Sequence, residues 1–84
     1  MNWRILWQAA SLRDLSRLDP QIQERVIAAL ERLAATGQGN VVQLAGLQPP
    51  EWRLRVGKWR VRFRRNDRER ILDVLRVLPR DKAY

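Results

Sequence analysis

Trp52-Arg53-Leu54-Arg55-Val56-Gly57-Lys58-Trp59-Arg60-Val61-Arg62-Phe63 is the stretch that decides the fold. Apolar and basic side chains alternate on both sides of Gly57-Lys58, which is the period of a half-buried strand. Glycine at the first central position suits a two-residue type II′ hairpin loop. That loop fixes the register: Val56 opposes Trp59, Arg55 opposes Arg60, Leu54 opposes Val61, Arg53 opposes Arg62 and Trp52 opposes Phe63. One face then carries Trp52, Leu54, Val56, Trp59, Val61 and Phe63, an apolar surface for helices to cover. The other carries Arg53, Arg55, Arg60 and Arg62, continued by Arg64. Like charges directly opposite in a sheet destabilise it by some tenths of a kcal/mol per pair. Alternating Lys and Glu would solubilise such a face without self-repulsion. A polyanion filling the face accounts for the pattern, and a merely solvated face is the alternative.

On the N-terminal side, Trp3, Ile5 and Trp7 alternate with Asn2, Arg4 and Leu6 and read as a short strand, although Leu6 breaks a clean two-faced pattern. From Ala9 the period becomes helical through Leu12, Leu15 and Leu18. Asp19-Pro20 supplies an N-cap and a first-turn proline for a second helix. Its stripe is Ile22, Val26, Ala29, Leu30 and Leu33, closed by Gly37 and Gly39, so the two helices form a hairpin. Residues 40–50 mix Val41, Val42, Leu44 and Leu47 with Gly46 and Pro49-Pro50 and read as a connecting loop packed on the fold.

On the C-terminal side, Asn66-Asp67-Arg68-Glu69 is a polar turn. Ile71–Leu78 is a further strand, apolar enough on both faces to be central in a sheet. Asp73 interrupts it. Arg76 and Arg80 share one parity and extend the basic face if this strand lies beside the hairpin. Pro79 ends the strand and leaves the tail Arg80, Asp81, Lys82, Ala83 and Tyr84.

Composition narrows the chemistry. At 84 residues the chain holds one domain, 1–84, whose small core leans on a few large side chains, four tryptophans among them. It has no cysteine and no histidine, so disulfides and the commonest metal ligands are absent and neither a metal nor a cofactor is expected. No apolar run reaches the roughly 20 residues needed to span a bilayer, and Met1–Ala10 lacks the order of a signal peptide. The expectation is a soluble, cytoplasmic protein. The formal charge is +8, and fifteen of the seventeen basic residues are Arg. Residues 43–84 carry twelve bases against five acids, and residues 1–42 five against four, so nearly all the excess lies in the second half. That asymmetry points to nucleic acid or an acidic partner.

The 52–63 hairpin, followed by Val74-Leu75-Arg76-Val77-Leu78-Pro79-Arg80-Asp81-Lys82-Ala83-Tyr84, resembles the aromatic-basic hairpin and terminal basic-to-tyrosine motif of the RelE/ParE toxin superfamily. The likeness runs over the whole chain. It implies an α+β fold, β-α-α-β-β-β, with an antiparallel sheet packed on a helical hairpin. It also implies the toxin of a type II toxin–antitoxin system, neutralised by a cognate antitoxin with an acidic or partly disordered segment. RelE-type members are metal-independent endoribonucleases (mRNA interferases) that cleave mRNA in the ribosomal A site and so inhibit translation. The ribose 2′-hydroxyl attacks, leaving a 2′,3′-cyclic phosphate and a 5′-hydroxyl.

Position by position, the resemblance places Arg53 and Arg55 where RelE toxins bind RNA and stabilise transition-state charge, often with lysines. Arg60 matches a phosphate clamp, Arg80 an assistant to the leaving group, and Tyr84 a base or a stacking residue. Lys58, Arg62, Arg64, Arg76 and Lys82 would add RNA-binding charge. Pro79 stands where many relatives have histidine. Arginine in place of lysine keeps the charge but stays protonated, so electrostatic stabilisation dominates over proton transfer. A tyrosine near guanidiniums gains phenolate character; a C-terminal tyrosine also commonly just packs on the fold or dangles. ParE-type members share the scaffold and inhibit DNA gyrase, and a non-catalytic nucleic-acid-binding module would use the same charge asymmetry.

Overall fold

The structure, a computed structural model, describes residues 2–82. The hairpin is β3 (Glu51–Val56) and β4 (Trp59–Asn66), paired Trp52↔Phe63, Arg53↔Arg62, Leu54↔Val61, Arg55↔Arg60 and Val56↔Trp59, as the loop length requires. Gly57 sits at φ 57°, a conformation that suits the first position of the turn. Two helices, α1 (Ala9–Ser16) and α2 (Pro20–Thr36), precede it. Asp19 occupies the N-cap position of α2 without a side-chain capping bond, and Gly37 closes the helix at φ 78°, its N–H donating to the Leu33 carbonyl at 2.8 Å. The Gln23 amide donates to the carbonyls of Leu15 and Leu18, tying the link between the helices to α2.

Two features of the sheet differ from the sequence reading. Val41–Leu44, read as loop, is a strand, β2, antiparallel to β3 with Val41 opposite Leu54 and Leu44 opposite Glu51. It is a four-residue edge strand, and Val41 packs on the core while Val42 stays half exposed. The first strand, β1 (Arg4–Trp7), runs parallel to the last, β5 (Ile71–Pro79), so the sheet is mixed, in the order β1-β5-β4-β3-β2. The α+β class with a helical hairpin on the sheet is as expected. The parallel pair follows from the connection: the helices carry the chain from one sheet edge to the other, and the β2-β3-β4-β5 meander walks back until it meets β1. The 17 residues of α2 reach about 25 Å, enough to cross five strands spaced about 4.8 Å apart.

The core lies between the helices and one sheet face. Val26, Leu30, Leu33 and Ala34 from α2 meet Leu54, Val61, Phe63, Leu72, Val74 and Val77 from the strands. The tryptophans are not at its centre: Trp3, Trp7, Trp52 and Trp59 are partly buried and pack around its rim. Trp52 stacks on Phe63 with centroids 6.4 Å apart.

β5 contains the irregularity that accounts for Asp73. Arg62 pairs with Arg76, but Phe63 pairs with Val74, so Leu75 is an extra residue and the strand is bulged there. The bulge reverses the alternation. Val77, Val74 and Leu72 all reach the core, and Asp73 falls opposite Arg64 on the other face. Beyond the reach of β1, α1 covers this side of β5. The Val77 N–H donates to Asp14 Oδ2 at 2.9 Å, and the Gln8 N–H to the Val74 carbonyl at 3.0 Å. A side-chain carboxylate thus does the work of a neighbouring strand.

Candidate nucleic-acid interface

The register sorts the helix-free face into rows running across the strands. Arg55 and Arg60 face Leu78; Val42, Arg53, Arg62 and Arg76 form the next row; Leu44, Glu51, Arg64, Asp73 and Leu6 the one after. All the charged residues of the first two rows are cations, whereas the third carries both carboxylates of the face. Three arginines from adjacent strands in one row repel one another, and their surroundings show how the fold tolerates this. Glu51 is 7% exposed. Its Oε1 accepts from Arg62 Nε at 3.1 Å and Nη2 at 2.6 Å, and its Oε2 lies 3.5 Å from Arg64 Nη2. Arg76 is turned the other way, to Asp14, with Nε and Nη2 donating at 2.8 and 3.1 Å.

Burial pushes the Asp14 carboxyl up, but the Arg76 hydrogen bond, the Val77 N–H and the charges of Arg76 and Arg17 outweigh it and hold the group below its ordinary value. The same hydrogen bond raises the Arg76 guanidinium. Of the residues read as RNA-binding, Arg62, Arg64 and Arg76 therefore have carboxylate partners inside the molecule. Lys58 and Lys82 are exposed, on the hairpin turn and in the 3₁₀ turn Arg80–Lys82.

Arg53, Arg60 and Arg80 are brought together. With Asp81 they line a shallow recess of about 300 Å³ at the hairpin-turn end of the sheet. β3 presents Arg53, β4 presents Arg60, and the 3₁₀ turn presents Arg80, anchored by the Arg80 N–H donating to the Lys58 carbonyl at 3.0 Å. Arg60 Nη1 donates to the carbonyls of Gly57 and Trp59, both at 2.9 Å, which holds its guanidinium against the turn. Arg55 is not part of this recess. It lies by a second one with Ala28, Ala29, Arg32, Gln38 and Asn40 at the β3 edge. Tyr84 lies outside the described residues. Among the described residues no cluster of acidic side chains is arranged to hold a metal, and no helix is long and apolar enough to cross a membrane.

A family model for the ParE toxin of type II toxin–antitoxin systems matches residues 5–84. The chain belongs to this toxin family. Solved structures of the RelE/ParE superfamily share its fold. The RelE–RelB complex of the archaeon Pyrococcus horikoshii aligns at 22% identity over 99% of this chain and 100% of that one, TM-score 0.81. The RelBE2 toxin–antitoxin complex of Mycobacterium tuberculosis aligns at 23% over 95% and 100%, TM-score 0.74. A YoeB/ParE toxin from Agrobacterium tumefaciens aligns at 20% over 90% and 97%, TM-score 0.72. A search of the curated proteins finds no match. In this toxin Glu51, Asp14 and Asp81 are carboxylates of the candidate interface that the sequence reading did not place among its candidate residues. Glu51 was within reach of it, because its parity puts it on the arginine face two residues from Arg53. Asp14 was not, because nothing in the helical period says that a carboxylate on α1 will meet β5.

Proposed function

We propose that this toxin is a metal-independent endoribonuclease that cleaves mRNA in the ribosomal A site. The observation that carries the reading is the convergence of Arg53, Arg60 and Arg80, from three separate elements, on one recess. Attack of a ribose 2′-oxygen on the adjacent phosphorus builds negative charge on the non-bridging oxygens and then on the departing 5′-oxygen. Guanidiniums already held in place stabilise that charge without reorganising. Arg53 and Arg60 would hold the phosphate, and Arg80, at the recess edge, would face the leaving oxygen. None of the three can accept the 2′-proton at neutral pH; Tyr84 is the proposed base or the residue that stacks on a base. Arg55, Lys58 and Lys82 would bind flanking phosphates. Arg62, Arg64 and Arg76 would add to the positive potential while remaining tied to Glu51 and Asp14.

The proposal includes a cognate antitoxin, as in the RelE–RelB complexes whose fold this chain shares. An acidic segment lying over the arginine rows would neutralise them. The proposed site of action is the cytoplasm, where the ribosomes are. Primer extension on mRNA held in programmed ribosomes tests the reading: new stops at A-site codons are expected with the toxin present. The ParE family match favours a second reading, inhibition of DNA gyrase. Growth arrest with intact mRNA and blocked supercoiling would establish it instead.

A further inference from the structure

The far end of the sheet carries a second cluster of arginines that the candidate site does not use. The β4–β5 turn, Asn66–Ile71, contains Asp67, Arg68, Glu69 and Arg70, and the chain's other end brings Arg4 beside it, its N–H donating to the Arg70 carbonyl at 2.9 Å. The acids there are already engaged. Asp67 pairs with Arg65 at 3.3 Å, Asn66 holds Glu69 through its backbone N–H at 3.0 Å and its carboxylate at 3.3 Å, and Asp73 accepts from the Gln8 amide. Among the described residues no hydrogen bond or ion pair engages the side chains of Arg4, Arg68 or Arg70, and all three residues are exposed.

Two further features mark this end. Arg70 sits at φ 57°, a left-handed conformation that glycine adopts freely and a long side chain adopts at a cost. Strain of this kind persists where the surrounding structure holds it, and such positions cluster at functional sites. Arg65, on β4 just before the turn, is itself committed: its guanidinium lies over the rings of Trp3 and Trp52, 5.2 and 5.4 Å from their centroids, and it also pairs with Asp67. Guanidiniums, each of which can take two oxygens of one phosphate, suit the repeated anions of an RNA backbone. The cluster is about 20 Å along β4 from Arg60, and Glu51 and Asp73 lie between the two.

We propose that the β4–β5 turn, through Arg4, Arg68 and Arg70, is a second RNA-backbone contact that grips a separate segment of a folded RNA while the recess holds the strand to be cut. It rests on the RNA half of the proposed function and not on cleavage. The carboxylate row between the clusters makes one continuous phosphate track across the face unfavourable, so two footholds on a folded RNA fit better than a single strand laid straight across.

The test is equilibrium binding of a fluorescent RNA hairpin with a single-stranded tail to the full chain over a range of salt. Arg68→Ala with Arg70→Gly is expected to weaken binding about tenfold and to reduce the salt slope by one to two. The thermal midpoint should hold or rise, because glycine relieves the strain at position 70. Arg13→Ala with Arg17→Ala, an equal loss of charge elsewhere, should leave binding within about twofold. Unchanged affinity and slope in the turn variant, or equal loss in the control, would overturn the proposal and leave the cleavage reading standing. Weakened binding to a polyglutamate peptide with unchanged RNA binding would overturn it in favour of a protein partner. No RNA binding by the wild type would overturn the proposal, while the cleavage reading stands or falls separately on primer extension with programmed ribosomes.

Discussion

At the scale of single residues, the arginine face is a set of cations sorted by which carboxylate each one meets. Glu51 draws Arg62 and Arg64 together, Asp14 draws Arg76 aside, and Arg53, Arg60 and Arg80 line the recess. Removing a partner from a buried carboxylate is costly even where the intact pair adds little to stability. Arg62→Met should therefore lower the unfolding free energy by about 3 kcal/mol, measured by urea denaturation. Adding Glu51→Gln should recover most of that loss, since the buried charge is then gone. If the single variant is as stable as the wild type, Glu51 is not held as described. Alternation alone assigns Arg53, Arg55, Arg60, Arg62 and Arg64 to one face. It says nothing of which of them remain open to a ligand, because that depends on carboxylates brought in from other elements.

At the scale of elements, the hairpin register was legible because a two-residue turn leaves no freedom in the pairing. β2 was not, because four residues flanked by Gly39, Gly46 and prolines carry too short an alternation to distinguish an edge strand from a packed loop. The parallel pairing of β1 was hidden for another reason: strand order depends on where a helical crossover ends, which local periodicity does not encode. Asp73 looked misplaced because alternation was read straight through Leu75, where the strand is bulged. Deleting Leu75 removes the extra residue and leaves Val77 and Val74 inward and Arg76 and Asp73 outward, a regular alternation in which Asp73 stays opposite Arg64. The deletion should therefore be tolerated, at a cost of about 1 kcal/mol or less in urea unfolding, whereas deleting Val74 instead, which leaves Leu75 in its place, should do no better. A Leu75 deletion that costs more than about 3 kcal/mol, the penalty expected of a carboxylate turned into the core, would mean that Leu75 is not the residue the bulge absorbs.

At the scale of the whole molecule, stability should depend on pH through the contact between α1 and β5. The Asp14 carboxyl is held below the unfolded value of about 3.9. Its contribution is thus fully present above that value and is lost as pH falls through the lower folded-state value. Asp14→Asn should flatten the acid limb of stability against pH measured by thermal unfolding, and it should also loosen α1, whose Asp14 accepts the Val77 N–H. An acid limb as steep in the variant as in the wild type would assign the dependence to other carboxylates.

The cooperation of Arg53, Arg60 and Arg80 in one recess is also a property of the whole molecule, since three elements must meet to form it. The direct test is single-turnover cleavage of mRNA on programmed ribosomes by the wild type, Arg53→Ala, Arg60→Ala, Arg80→Ala and their pairs. Each single change should cost roughly 10²–10³ in rate, and the pairs much less than the product of the singles, as for groups acting on one phosphate. Arg76→Ala, already committed to Asp14, should stay within a few-fold of the wild type. Strictly multiplicative losses, or equal losses at Arg76 and Arg60, would contradict a shared site, and a wild type that leaves the message whole would contradict the nuclease itself.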